Sequence, residues 1–334
     1  MNKDQVIQEL NEINKELSRQ IDEYTINQGK LVSDLRKTCV RDIIPLNTLG
    51  LPNECESHEI KLRFSKSSGN NSAIDENKEH NFARKHTLVH LKSNSVCTWI
   101  PKNSCSTLRF SIAVSNGAIS GTDQVDWIHK NNASFRASNK ELLAADYSFV
   151  VLRNPFKRLL SFYCDKLCNE GQNTNDTSYD TAKTVMGTTA KTTFAEFVES
   201  LWQDPTLKKR NGHIQDQCDF LVYKNYHNYL AVESYKETAK AILDKTGITL
   251  QDIRPFNSIY TTYGCQESED LNYDTPAETI GSAITRSQKP IVKNMYNADL
   301  INKVGSLYLN DILLYLRVIK DGEMEMKYWL KYMY

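Results

Sequence analysis

Apolar, β-branched runs near 95–100, 147–152 and 229–233 interrupt an otherwise polar chain, and each has the length of a buried strand. Segments of helical spacing follow them near 106–116, 155–168 and 235–246, with two more near 193–203 and 298–317. Strands alternating with helices predict an α/β domain around a parallel sheet. Residues 2–37 are polar with a weak heptad: Leu10, Leu17, Tyr24 and Leu31 recur every seven, with Val6 and Ile13 between. Gln20, Asn27 and Asp34 make the remaining seam positions polar, so a short dimeric coiled coil and a helix docked on the body both fit. Ser65 to Asn81 is rich in Ser, Asn and Glu and reads as a flexible linker. Asn169–Thr193 and Gly264–Ala283 lack an apolar period and read as long loops, of the kind used as lids or acceptor-binding segments. The chain therefore divides into a helical arm at 1–40, a linker at 41–85 and a domain at 86–334.

Two strand-to-helix junctions carry the chemistry. In Trp99-Ile-Pro-Lys-Asn-Ser-Cys-Ser-Thr-Leu-Arg109 and Val150-Val-Leu-Arg-Asn-Pro-Phe-Lys-Arg-Leu-Leu-Ser-Phe-Tyr163, an apolar strand runs into a basic, hydroxyl-rich turn that opens a helix. The unsatisfied N–H groups and positive dipole end of such a helix favour phosphate. In the second segment Asn154 supplies a cap and Pro155 a first helical residue. Arg153 and Ser161 stand eight residues apart, so the helix carries Ser161 back toward a group gripped by the Arg153 guanidinium. The plain alternative is a surface helix with Lys157 and Arg158 solvated. The first segment is not a Walker loop, since it lacks the glycines and Lys102 precedes the turn. Two phosphate cradles on one sheet suggest a ligand with phosphate groups at two separate places.

Charge and composition narrow the picture only slightly. Forty-one basic and 41 acidic residues give a net charge of zero, so bulk charge gives no argument for nucleic-acid or membrane binding. Lys208-Lys209-Arg210 is the only compact basic cluster outside the two junctions, and a solvated loop is its plainer reading. No apolar run approaches the roughly 18 residues of a spanning helix. None of the eight cysteines falls in a C-x-x-C pair and no His/Cys cluster has zinc spacing, so they read as reduced thiols and no metal is expected. With 40% hydrophobic residues in 334, the chain can bury a full core.

The first junction, with Pro101, Lys102, Ser104, Ser106, Thr107 and Arg109, resembles the phosphosulfate-binding loop of sulfotransferases that use 3′-phosphoadenosine 5′-phosphosulfate (PAPS). The second resembles their 3′-phosphate motif, R-x-P-x-x-R-L-x-S-x-Y. The match is closest to the Golgi carbohydrate sulfotransferases of the chondroitin and dermatan type, whose loop reads like P-K-x-x-C-T-N-W-K. Phe194-Ala-Glu-Phe-Val-Glu-Ser-Leu, the stretch from Gly212 to Cys218, Tyr229 to Tyr235 and Val304 to Asp311 resemble later segments of that group. The resemblance spans roughly 86–320. Leu108 stands in place of an aromatic, and Asn154 in place of a charged residue.

That resemblance implies a P-loop-like sulfotransferase fold, a central parallel sheet flanked by helices with the N-terminal arm added, and transfer of a sulfuryl group from PAPS to a hydroxyl, most simply of a carbohydrate. It implies that Lys102 contacts the bridging oxygen of the phosphosulfate. Asn103, Ser104, Cys105, Ser106, Thr107 and the loop N–H groups would hold the 5′-phosphate with help from Arg109, and Arg153 and Ser161 would hold the 3′-phosphate. A histidine suits the base that takes the acceptor proton. His129 and His213 are the candidates; His129 is favoured for its place between the two motifs, with Glu233 as a further choice. Relatives are membrane-anchored in the Golgi; without an apolar span, this chain is expected in the cytoplasm, or in the Golgi lumen if it is part of a longer protein. A homodimer through the arm is consistent with the heptad. The competing readings are a nonenzymatic nucleotide-binding scaffold of the same fold and a P-loop-like nucleotide kinase.

Overall fold

In the computed structural model the chain divides into Met1–His58 with Tyr334, and Glu59–Met333. The residues described are 61–64, 72–131, 133–168, 183–253 and 264–333, all within the second unit. The arm expected at 1–40, residues 169–182, Cys39 and Cys55 lie outside them. The six described cysteines are free thiols.

The stretch expected as a linker is structured where it is described: Leu62 forms an antiparallel bridge with Tyr223, and Ser72–Asp75 and Lys78–Lys85 (α1) are helical. Asn77 caps α1 by accepting from the His80 N–H at 2.7 Å, and His80 and Ala83, three apart, bury one face. Polar composition concealed a capped helix whose buried face is only two residues wide. Thr87–His90 (β1) and Ser95–Thr98 (β2) form an antiparallel hairpin. β1 has just Leu88 and Val89 as apolar residues, too short a signal to be read as a strand. Next come Cys105–Ser115 (α2), the single turn Trp127–Lys130 (α3) and Tyr147–Leu152 (β3). Pro155–Phe162 (α4) is capped by Asn154, whose side chain accepts from Phe156 and Lys157. It continues as a π-helical turn, Tyr163–Leu167, so the expected 155–168 helix changes its winding midway.

Phe194–Gln203 (α5) opens on a capping box of Thr193 and Glu196. Asn228–Ala231 (β4) precedes Tyr235–Thr246 (α6), which ends at Gly247 with φ +75°. The polar stretch at 264–283, expected as a loop, instead contains Gln266–Ser268 (β5) and opens Ala277–Thr285 (α7). Its buried residues Ala277, Ile280, Gly281 and Ile284 follow helical spacing, but the polar run before them masks so short a stripe. At Gly281 an added Cβ would lie 2.0 Å from the Cys168 carbonyl oxygen. Gln288–Pro290 (β6) pairs with β5. The expected 298–317 helix is two, Ala298–Leu307 (α8) and Leu309–Val318 (α9), broken at Tyr308, whose hydroxyl turns inward to donate to the Ile214 carbonyl at 2.7 Å. Gly322–Leu330 (α10) is the last helix. Among the described residues, no helix is long and apolar enough to cross a membrane.

The main sheet has the order β1-β2-β3-β4, with β2, β3 and β4 parallel. Alternation along β3 sends Phe149 and Val151 to one face, with Leu108 and Ile112 of α2 and Ile242 of α6. Val150 and Leu152 go to the other, with Phe156 and Leu159 of α4. The sheet is thus flanked by helices on both faces, as an α/β fold of this type requires. The helix after β2 leaves toward one face and the helix after β3 toward the other, so a crevice opens between their carboxyl ends. In open α/β sheets that is where ligands bind.

Candidate active site

Both junctions read from the sequence meet at this crevice. After β2 the backbone turns through Lys102 at φ +70° and Ser104 at φ +56°, both left-handed without being glycine. Such conformations persist where the surroundings enforce them, and they collect at functional sites. No side chain caps α2, so its first-turn N–H groups face the loop. Asn103 is buried; its amide nitrogen donates to the Val151 carbonyl at 3.0 Å and to Gln217 Oε1 at 2.6 Å. Its Oδ1 is buried with no protein partner. Asn103, Ser104, Thr107 and Leu108 border an open cleft whose other wall is Val151, Val232, Tyr235 and Thr238.

Arg153 joins the two junctions directly: its Nη1 donates to the Lys102 carbonyl at 2.8 Å. Gln217, given no role from the sequence, braces the same joint. Its Oε1 accepts from the Arg153 N–H at 2.9 Å and its Nε2 donates to the Arg153 carbonyl at 2.9 Å. Gln217 is itself seated by the buried Asp311 carboxylate, which accepts from the Gln217 and Cys218 N–H groups at 2.8 and 3.0 Å. Ser161 lies half-buried two turns along α4.

Arg158 is not solvated. Only 2% exposed, it donates from Nε to the Pro101 carbonyl at 3.1 Å and from Nη1 to the Gln215 carbonyl at 2.7 Å. Burial pulls the guanidinium below its ordinary range, and Asp311 opposes that pull. Burial likewise pushes the Asp311 carboxyl up, with Arg158 opposing. These two residues fasten the first loop to the 212–218 segment.

The π-helical turn after α4 brings Asp165 to Lys102, Oδ2 to Nζ at 2.7 Å, with Lys166 Nζ at 3.9 Å from the same oxygen. Burial works to raise the Asp165 carboxyl, but Lys102 and Lys166 outweigh it and hold it below the usual carboxylate range. His213 shares this cluster. Burial drives its imidazole down to about 3, Lys102 and Lys166 add to that, and Asp165 opposes it. Its Nδ1 lies 3.0 Å from Asn211 Oδ1, which only accepts, so Nδ1 carries the hydrogen and Nε2 keeps the lone pair.

The other candidates lie elsewhere. His129 is exposed at the end of α3, beside Ile128, whose carbonyl accepts from Arg109. Arg109 also stacks over the Trp99 ring, 4.9 Å from its centroid. Glu233 accepts from the Asn154 N–H at 3.0 Å and from the Tyr315 hydroxyl at 2.9 Å, so its two oxygens tie the β3–α4 turn to α9. The basic triplet is split: Lys208 is buried against Asp216 at 2.7 Å, whereas Lys209 and Arg210 are exposed, Arg210 reaching Asp204 at 3.4 Å.

The C-terminal helix α10 sits on the start of α4. Trp329 stacks on Phe156 with centroids 4.5 Å apart and planes 4° from parallel. Lys157 Nζ lies 2.9 Å from Glu325, and Asn154 Nδ2 lies 3.1 Å from Met326 Sδ.

An uncapped helix start, a lysine and an arginine joined at one crevice form an anion cradle with a buried wall. Comparison with curated proteins and with solved structures gives no match. A family model described as "Sulfotransferase family" matches residues 85–316, well over half the chain, and takes in both junctions, Gln217 and Asp311. Matched over that span, with the two junctions meeting at the carboxyl edge of a parallel sheet, the chain belongs to the sulfotransferase family and is a transferase.

Proposed function

We propose that this protein moves the sulfuryl group of PAPS to a hydroxyl of a carbohydrate acceptor. The observation that carries the reading is the Arg153–Lys102 hydrogen bond, which places the two phosphate-type turns side by side. The residues present fit the phosphates of the nucleotide: α2 starts without a side-chain cap, and Asn103 Oδ1 is a buried acceptor with no protein partner beside that helix start. Ser104, Cys105, Ser106 and Thr107 would hold the 5′-phosphate with their N–H and hydroxyl groups, and Arg153 with Ser161 the 3′-phosphate. When bound, PAPS supplies an activated sulfuryl group on a stable leaving group. Lys102 would neutralise charge on the departing oxygen, and His213 Nε2 would receive the acceptor proton. The carbohydrate acceptor is supported by the later motifs that resemble chondroitin- and dermatan-type enzymes. A kinase reading lacks the glycine loop, and a pure scaffold would have no use for Lys102 beside a neutral imidazole.

Adenosine 3′,5′-bisphosphate is expected to stabilise the fold by about 2.7 kcal/mol at a hundredfold excess over its Kd. AMP should do far less, and Arg153→Ala should erase the difference. Equal shifts in Tm from AMP and the bisphosphate would refute a two-phosphate site.

Lys102→Ala is expected to keep most of the bisphosphate affinity while turnover falls by roughly 10²- to 10³-fold, since its contact strengthens as charge develops on the leaving oxygen. Parallel loss of affinity and rate would make Lys102 a simple phosphate anchor. Mass spectrometry of a glycan panel incubated with PAPS identifies the acceptor; no transfer to any carbohydrate, phenol or steroid would favour the scaffold.

A further inference from the structure

Asp165 answers to no motif read from the sequence, yet it is the residue Lys102 touches. It stands in a π-helical turn directly after the α4 segment that carries Ser161. Such turns alter which side chains face inward, and they gather at functional sites. Here the altered winding turns Asp165 toward the loop after β2, 63 residues earlier in the chain. The pair is half-shielded, with side-chain exposures of 14% for Lys102 and 18% for Asp165.

Resting on the sulfuryl-transfer reading above, we propose that Asp165 is a positioning residue that changes partners during the reaction. In the free protein it holds the Lys102 ammonium at the mouth of the phosphate loop. When Lys102 passes to the leaving oxygen, the Asp165 carboxylate is left facing His213 and stabilises the imidazolium formed there. The step balances: the acceptor oxygen bonds to sulfur, the bond from sulfur to the bridging oxygen breaks, the acceptor proton goes to His213 Nε2, and the bisphosphate leaves with the bond's electron pair. Asp165 is not itself protonated.

Among the charged groups that bear on His213 are the cations Lys102, Lys166 and Arg158 and the anion Asp165. Engaging Lys102 elsewhere while keeping Asp165 removes the strongest of the cationic groups that oppose an imidazolium, although burial still opposes it. The same exchange explains why two lysines face one carboxylate: Lys166 still balances Asp165 after Lys102 has moved.

Asp165→Asn and Asp165→Glu in the full chain test this, read by bisphosphate titration and by single-turnover transfer across pH. Asp165→Asn should bind the bisphosphate as tightly as wild type or more so, because Lys102 is no longer held. Its transfer rate should drop about 10- to 100-fold, and the acid limb of its rate profile should move to lower pH because the imidazolium has lost its anion. Asp165→Glu should recover most of the rate. If Asp165→Asn keeps the wild-type rate and limb, or loses affinity and rate together with the limb unmoved and no recovery in Asp165→Glu, the positioning role is wrong and the ion pair is structural. If wild type transfers nothing, the sulfuryl-transfer reading falls and this one with it.

Discussion

Replacing His213 with alanine is expected to slow single-turnover transfer by roughly 10²- to 10⁴-fold with little change in bisphosphate affinity, the signature of a lost general base. The ring's tautomer is fixed by Asn211, which leaves Nε2 free to take a proton, and the ring stands in the Lys102–Asp165 cluster. The pH profile should carry a second mark. A base works only when neutral, so the rate falls as pH drops through its pKa. In the free protein burial holds His213 at about 3, so the limb of kcat/KM should lie well below the ordinary histidine range. In the complex Lys102 is engaged with the leaving oxygen and an anion sits nearby, so the limb of kcat should lie at higher pH. His129→Ala is the matching measurement, because chain order favours His129 as the base. Loss of rate and limb in His129→Ala, with both kept in His213→Ala, would assign the role to His129 despite its exposed place at the end of α3.

Arg158→Met is expected to cost about 2–5 kcal/mol of stability, because it leaves buried carbonyl acceptors unpaired at roughly 1–3 kcal/mol each. The side chain is 2% exposed and donates to the Pro101 and Gln215 carbonyls, so its loss strands two acceptors as well as the Asp311 charge. The urea midpoint should fall with an unchanged m value. Adding Asp311→Asn to Arg158→Met should cost less than the single changes imply, because the charge left behind is gone. A cost below about 1 kcal/mol for Arg158→Met would mean that the guanidinium does not fasten the two segments.

The sequence made the two junctions legible because their signals are local. Asn154-Pro155 announces a helix start, and Pro101-Lys102 followed by hydroxyls announces a phosphate loop. The strands β2, β3 and β4 were visible for the same reason. What joins the junctions was not visible. Gln217 reaches Arg153 across 64 residues and Asp311 reaches Gln217 across 94, and no spacing rule connects an amide to a carboxylate at that range. Asp165 became a partner of Lys102 only through a change of helical winding, which apolar periodicity does not register. Arg158 looked like one more surface cation because its acceptors are backbone carbonyls, which every residue has. α7 is hidden for another reason: Ala277, Ile280 and Ile284 follow helical spacing, but the stripe is short and comes directly after a long polar run.

The matched span ends at residue 316, but the aromatic face of α10 begins after it. Trp329 is 3% exposed and Phe156 fully buried beneath it, so the ring that seats the β3–α4 turn is covered by the chain's last helix. The border of sequence kinship and the border of the cooperative folding unit therefore fall in different places. A protein cut back to the matched span would open an aromatic wound directly behind Arg153, and its nucleotide grip would loosen although every recognised motif survived. The aromatic residues of this tail are held by a stacking partner inside the fold, Phe156, at the start of α4.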